Sequence, residues 1–346
     1  MGDAFGRRGA PRPARRPFHL FIRPLRAASG IASLVAVYGI MRAVRILMVF
    51  VDGVGLGDLD PATNPLVRAE TPTFHRLLGG PLAGRAVVRT EEAVLVPLDA
   101  QLGVPGFPQS ATGQVALLTG ENAPARVGHH VTAYPTQVLR TLLEECGLFT
   151  RLQRLEIGAA LANAYSPEYF AAVAARRLRH AAIALNALQA GVRLRDVDDV
   201  RAGRAVCHDL TNARLREWGH AVPLIAPEEA GRNLAGLARD QAFTLFEFFQ
   251  TDLAGHGRLD DRIGVVERLD RFLGAVLDAT DRRDTLVLVT SDHGNLEDER
   301  TDGHTHNPVP ALLVGAQREL VAERLRDLTD LAPACLDLLG NGVSVS

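Results

Sequence analysis

The stretch Leu286 to Pro310, LVLVTSDHGNLEDERTDGHTHNPVP, decides how the rest of the chain is read. It begins with a β-branched apolar run, Leu286 to Val289, which predicts a strand buried on both faces. Thr290, Ser291, Asp292, His293 and Gly294 follow at once. A polar cluster at the carboxyl end of a parallel strand is where open α/β sheets place their chemistry. A second imidazole group then arrives in Gly303-His304-Thr305-His306-Asn307-Pro308. Asp-His followed by His-x-His offers the oxygen and nitrogen donors that divalent metals take up. The plain alternative for this stretch alone is a loop capped by Ser291 and Asp292, with a surface histidine cluster beside it.

Upstream, the aromatic-rich run Phe243 to Phe249 predicts another strand, followed by Asp252 and His256. Asp-x-x-x-His puts both side chains on one face of a helical turn, a compact arm for a metal. Asp260 to Thr280 reads as an amphipathic helix with an acidic start. Strand, helix, strand implies a right-handed parallel crossover, with Asp252 and Asp292 at the same sheet edge. Beyond Pro310, Ala311 to Val314 reads as a last strand and Ala322 to Leu339 as a closing helix.

Toward the amino end, Ile46 to Val51 is a further buried-strand pattern, closed by Asp52, and Gly53, Gly55 and Gly57 allow a sharp turn. A dinucleotide loop is rejected here. Asp52 stands where the first phosphate-binding glycine belongs, and no G-x-G-x-x-G follows. Gly84 to Leu98 alternates as one or two strands, and Ser110-Ala-Thr-Gly-Gln opens a helix. Serine there is ordinarily an N-cap. The same geometry, a positive helix end with free amides, also suits an alkoxide or a phosphoryl oxygen.

Between Gly120 and Asp240 the composition shifts to Ala, Arg and Leu, with helical periodicity over Gln137–Cys146 and Glu168–Ala190. Residues 123–241 are therefore expected to form an inserted, mainly helical cap between catalytic halves at 43–122 and 242–346. His129 and His130 read as solvated loop histidines near the Ser110 helix, with reach to substrate as the alternative; Arg126 could bind a phosphate, but one arginine among 38 basic residues carries no such claim. Cys207 reads as a small buried residue.

The 346 residues include 38 basic and 40 acidic side chains, so nothing in the charge balance points to nucleic acid or an anionic membrane. Every basic residue other than histidine is Arg, which excludes lysine-dependent chemistry. Three scattered cysteines imply no disulfide framework and fit a reducing compartment. Residues 1–42 are Arg- and Pro-rich and lead to a short apolar run, Ile31 to Ile40. They read as a disordered extension on a cytoplasmic protein, with Met41 as the natural start; an export signal is the alternative. The apolar run is too short to span a bilayer.

Taken together, Asp52, Ser110, Asp252, His256, Asp292, His293 and His304 resemble the alkaline phosphatase superfamily of metalloenzymes. The nearest branch holds cofactor-independent phosphoglycerate mutase and phosphopentomutase. The resemblance covers about Arg45 to Asn122 and Ala242 to Leu339. It implies an α/β three-layer sandwich with a mostly parallel sheet and a small inserted helical cap. It also implies two divalent metals, one held by Asp52, Ser110, Asp292 and His293, the other by Asp252, His256 and His304. Ser110 would be the nucleophile that takes the phosphoryl group, and His306 would stand just outside the ligands. Mixed Asp/His donors suit manganese or zinc better than magnesium.

Two residue-level departures bear on the reaction: Gln114 replaces the mutase histidine, and the mutase lysine is absent. The sulfatase signature is missing around Ser110. The expected activity is hydrolysis of a small phosphate ester through a phosphoserine. A phosphomutase, or a non-catalytic homologue that binds metal or phosphate, stands as the alternative.

Overall fold

The computed structural model describes residues 44–340; the expectation for residues 1–42 lies outside them. The first half contains β1 (Arg45–Val51), α1 (Pro72–Leu78), β2 (Val88–Arg89), β3 (Ala93–Leu98), α2 (Ser110–Thr119), α3 (Gln137–Cys146) and α4 (Leu148–Arg154). Then come β4 (Ala159–Leu161), α5 (Pro167–Ala174), α6 (Ala182–Gln189), α7 (Pro227–Ala238), β5 (Phe243–Phe248) and α8 (Gln250–Gly255). The last of the described elements are α9 (Arg262–Ala279), β6 (Thr285–Thr290), β7 (Val309–Gly315) and α10 (Leu331–Gly340). Shorter helical turns join these elements.

Among the described residues, seven strands form one sheet in the order β2, β3, β7, β6, β1, β5, β4. β4, β5, β1 and β6 run parallel, β7 runs against them, and β3 and β2 alternate again. Five strands thus point one way and two the other. The continuous apolar runs are explained by burial on both faces. Ile46, Met48 and Phe50 enter one core, while Leu47, Val49 and Val51 enter the other. Helices α2, α3, α4, α6 and α10 pack over the first core, and α1, α7 and α9 over the second. The result is the expected three-layer α/β sandwich.

Two expectations are revised. The stretch 123–241 is not set apart as a whole: β4 pairs with β5, and Leu139, Leu143, Phe149, Leu152 and Ile183 sit in the same core as the sheet. Only around Val197, Val200, Cys207, Leu215 and Val222 does a separate small apolar cluster form. The closing helix is also broken. A 3-10 turn at Leu328–Asp330 precedes α10, and the Asp327 carboxylate accepts from the Thr329 N–H (2.8 Å) to start it. Among the described residues, no helix is long and apolar enough to cross a membrane.

Candidate metal centre

β6, β1 and β5 are neighbours, with Val51 paired to Phe248 and Phe50 to Thr290. The residues that follow therefore leave the sheet side by side: Asp52 after β1, Asp292 and His293 after β6, and Asp252 in the first turn of α8. This edge is braced. The Asp52 N–H donates to the Phe248 carbonyl (2.9 Å), and Thr251 Oγ1 donates to the Asp52 carbonyl (2.6 Å). Ser291 does not cap a helix; its Oγ accepts from the Val54 N–H (3.0 Å) and ties two strand ends together.

All seven residues selected from the sequence converge. Donor atoms of Asp252, His256 and His304 lie within 4.8 Å of one another, as do those of Asp52, Asp252 and His293. His293 Nε2 is 3.0 Å from Ser110 Oγ, 3.2 Å from Asp52 Oδ1 and 3.7 Å from Asp292 Oδ1. The grouping departs from expectation at Asp252, which stands between the two clusters and belongs to both. Its Oδ1 is 3.3 Å from His256 Nε2 and 3.9 Å from His304 Nε2.

The donor chemistry fits cations. Both carboxylate oxygens of Asp292 are buried without a hydrogen-bond partner, and the buried Oδ1 of Asp52 faces the His293 ring at 3.2 Å. Buried carboxylates without donors are costly, and a cation removes the cost. His304 Nδ1 donates to the Pro108 carbonyl (2.6 Å) and His256 Nδ1 to the Asp302 carbonyl (2.8 Å). A carbonyl only accepts, so each ring keeps its Nε2 lone pair free, which is how a metal-binding imidazole is oriented.

Electrostatics agree with this. Burial, and then the Asp52 charge, raise the Asp252 carboxyl, and burial drives Asp292 well above the usual carboxylate range. Burial opposes charge on His293, but Asp292 and then Asp52 outweigh it and push the imidazole up to about 10. Burial and the adjacent His293 push His304 down to about 4, leaving a neutral ring. Without a cation, such a centre retains protons.

Ser110 is the first residue of α2, and Gln109 takes the cap position. The free amides expected there are not free: Ala111 and Thr112 N–H both donate to the Val131 carbonyl (3.1 and 3.4 Å). The helix instead contributes close approach. A Cβ on Gly113 would lie 2.8 Å from the Asp292 carbonyl oxygen, so only glycine lets α2 seat Ser110 against His293. Gln114 lines the cleft with its Oε1 buried and unpartnered.

His306 is turned outward and stacks on Phe107 (4.2 Å between centroids). Arg126 pairs with Glu121 (3.1 Å), and His130 meets the Val104 carbonyl (3.3 Å). None of these three lines the cleft.

Three residues escaped sequence reasoning. Glu297 is buried and binds three loops at once: it accepts from the Gly55 N–H (2.9 Å), the Asn295 N–H (2.8 Å), Thr305 Oγ1 and Asn307 Nδ2 (3.0 Å). Asn295 Nδ2 donates to Asp252 Oδ1 (2.8 Å) and orients that carboxylate. Glu247, on β5, faces the cleft; burial and then Asp52 push it up to about 8. An acid inside the apolar run FTLFEF was a usable signal, since such a residue has no reason to be there unless a site faces it.

Comparison with known proteins follows this geometry. Residues 229–341 match the family model of the Metalloenzyme superfamily. The 2,3-bisphosphoglycerate-independent phosphoglycerate mutase of Cereibacter sphaeroides is 34% identical over 125 residues, covering 33% of this chain and 24% of the relative. That of Desulforudis audaxviator is 39% identical over 130 residues, covering 34% and 25%. The matches thus span about a quarter of these curated relatives' length. The PH0037 protein of Pyrococcus horikoshii shares the fold, at 17% identity and a TM-score of 0.53, over 88% of this chain and 99% of that one.

Proposed function

We propose that this chain, which belongs to the metalloenzyme superfamily in its phosphoglycerate mutase-like branch, hydrolyses a phosphate ester through a phosphoserine on Ser110. The observation that carries this reading is the 3.0 Å approach of Ser110 Oγ to His293 Nε2, beside the buried Asp52 and Asp292 and the half-buried Asp252, in a cleft of about 700 Å³. Asp52, Ser110, Asp292 and His293 would hold one divalent cation, and Asp252, His256 and His304 a second, with Asp252 also within reach of the first; donor type suits manganese or zinc. Bound there, the two ions supply neutralisation of phosphoryl oxygens and a lowered pKa for a coordinated hydroxyl.

The chain's own residues do the rest. Ser110 Oγ loses its proton and forms the O–P bond as the bond from phosphorus to the leaving alcohol breaks; the alcohol oxygen takes up a proton. Water then attacks phosphorus, the Ser110 O–P bond breaks, and Oγ regains a proton as inorganic phosphate leaves. α2 holds Oγ in its first turn, so a helix and not a mobile loop sets the line of attack. Arg179 and Arg258 line the same cleft and are placed to meet anionic oxygens of the substrate.

A phosphomutase is the second reading, favoured by the names of the curated relatives. The phosphoserine would then be attacked by a substrate hydroxyl in place of water. Gln114 and the absence of lysine weigh toward hydrolysis.

The test is turnover of an aryl phosphate after manganese or zinc loading, wild type beside Ser110→Ala, with denaturing capture of phosphoserine. Metal-dependent turnover and a phosphoserine that both vanish in the variant are expected. Metal-loaded protein that forms no phosphoserine from any phosphate ester would overturn the proposal.

A further inference from the structure

A second cavity of about 200 Å³ adjoins the cleft, and the two share Tyr165, Tyr169, Glu247 and Phe249 as a common wall. Its far side comes from the middle of the chain: Ala164, Cys207, His208, Leu215 and Trp218. This wall is held against the sheet by short parallel bridges, Asn163 with Val206 and Ala164 with Arg195. The Asn163 side chain also clasps the Glu247 backbone, donating to its carbonyl (2.7 Å) and accepting from its N–H (2.8 Å).

The chemistry of the lining is selective. His208 stacks on Phe249, with centroids 4.5 Å apart and planes 22° from parallel. Its Nδ1 is buried with no hydrogen-bond partner. Arg214 is the lining guanidinium; its charge is paired with Glu217 (3.0 Å), and it lies over the Trp218 ring at 4.9 Å. Burial holds His208 below its ordinary pKa, so its ring is neutral at pH 7.

We propose that this cavity receives the alcohol portion of the phosphate ester, and that this portion carries a neutral heteroaromatic ring. The proposal rests on the phosphoryl-transfer reading of the adjoining cleft and deepens it by naming the substrate class. Size supports it: an apolar cavity of roughly 150 Å³ accepts a benzene ring, so this one takes a single substituted ring or a small bicycle. Flat aromatic walls favour a stacked ring. The orphaned His208 Nδ1 calls for a polar ring edge, since a buried polar atom without a partner is costly. A carboxylate or second phosphate would be buried here without a free cation, and a bare polyol would lose hydration against apolar walls.

Trp218 is the only tryptophan of the chain and lines the cavity, so its emission reports occupancy without any turnover. The full chain is titrated with adenosine, 3-pyridylmethanol, benzyl alcohol and glycerol. Saturable changes with the three ring alcohols and none with glycerol are expected. Ala164→Phe, which fills the space, should abolish them. His208→Phe keeps the stack but removes the polar edge; it should weaken 3-pyridylmethanol by roughly three- to tenfold and leave benzyl alcohol unchanged. Absence of saturation by the ring alcohols, or an equal response to glycerol, would overturn the proposal. So would indifference of all four titrations to both variants. In parallel, the manganese-loaded enzyme is assayed on adenosine 5′-phosphate and glycerol phosphate. Ring binding without turnover of either ester would uphold the cavity and count against the phosphatase reading. Turnover without ring binding would remove the cavity proposal alone.

Discussion

His256 and His304 face each other through their Nε2 atoms at 3.3 Å, while the Nδ1 of each donates to a backbone carbonyl. In their neutral forms neither Nε2 can donate to the other. Two lone pairs and the Asp252 carboxylate therefore point at a common place, an arrangement that a divalent cation resolves.

Removing either ring should remove one metal. His256→Ala and His304→Ala are each expected to lower bound manganese or zinc by about one equivalent, read by elemental analysis after gel filtration. Turnover should fall by at least ~100-fold, the upper end of what even an outer partner of a metal ligand costs. Two full equivalents in either variant would remove these residues from the ligand set.

Metal uptake should release protons. Burial keeps Asp292 well above the usual range, and His293 is pushed up to about 10, so near pH 7 the metal-free centre retains protons that a cation displaces. Apparent affinity should rise with pH, about tenfold per unit for each proton displaced. Calorimetry in buffers of different ionisation enthalpy measures the release directly. A pH-independent affinity would contradict it.

Glu247 predicts the opposite trend for stability. Its folded pKa, raised to about 8 by burial and then Asp52, exceeds the 4.5 of an ordinary glutamate. Between those values the folded state keeps a proton that the unfolded chain has lost, so stability is highest below the lower value. It falls as pH rises toward 8, by at most ~1.4 kcal/mol per unit. In metal-free protein, Glu247→Gln should flatten this decline. Urea denaturation at pH 5, 6, 7 and 8 measures it, and parallel curves for the two proteins would count against the shift.

Glu297 should matter for folding and for metal alike. Glu297→Ala leaves the buried Gly55 and Asn295 N–H groups without acceptors, at a cost on the order of 3–5 kcal/mol. The loops carrying Asp52, Asp292 and His304 lose their common anchor, so metal affinity should fall although no ligand is changed. Chemical denaturation and metal titration check the two effects separately.

The candidate ligands were legible because each follows a local pattern. Asp52, Asp252 and Asp292 come just after apolar runs that the sheet buries on both faces, and His256 and His304 stand at short spacings from their neighbours. The middle of the chain was less legible. β4 is only Ala159–Leu161, too short for an alternation to register, and the periodic stretch Glu168–Ala190 divides into α5 and α6. α2 carries little helical periodicity because every residue after Ser110 is buried.

By itself, the sequence determined the buried strands and the strand ends that carry the candidate donors, since these depend on patterns a few residues long; the three-layer sandwich followed from the family resemblance. Tertiary structure alone decided the rest. That Asp252 stands between both clusters, that the amides after Ser110 belong to Val131, and that Glu297 ties three loops all depend on contacts between distant parts of the chain. The cavity beside Glu247 is of the same kind: its walls come from segments centred near residues 165, 210 and 248. Their meeting is set by how the middle segment packs on β5, and no local rule encodes it.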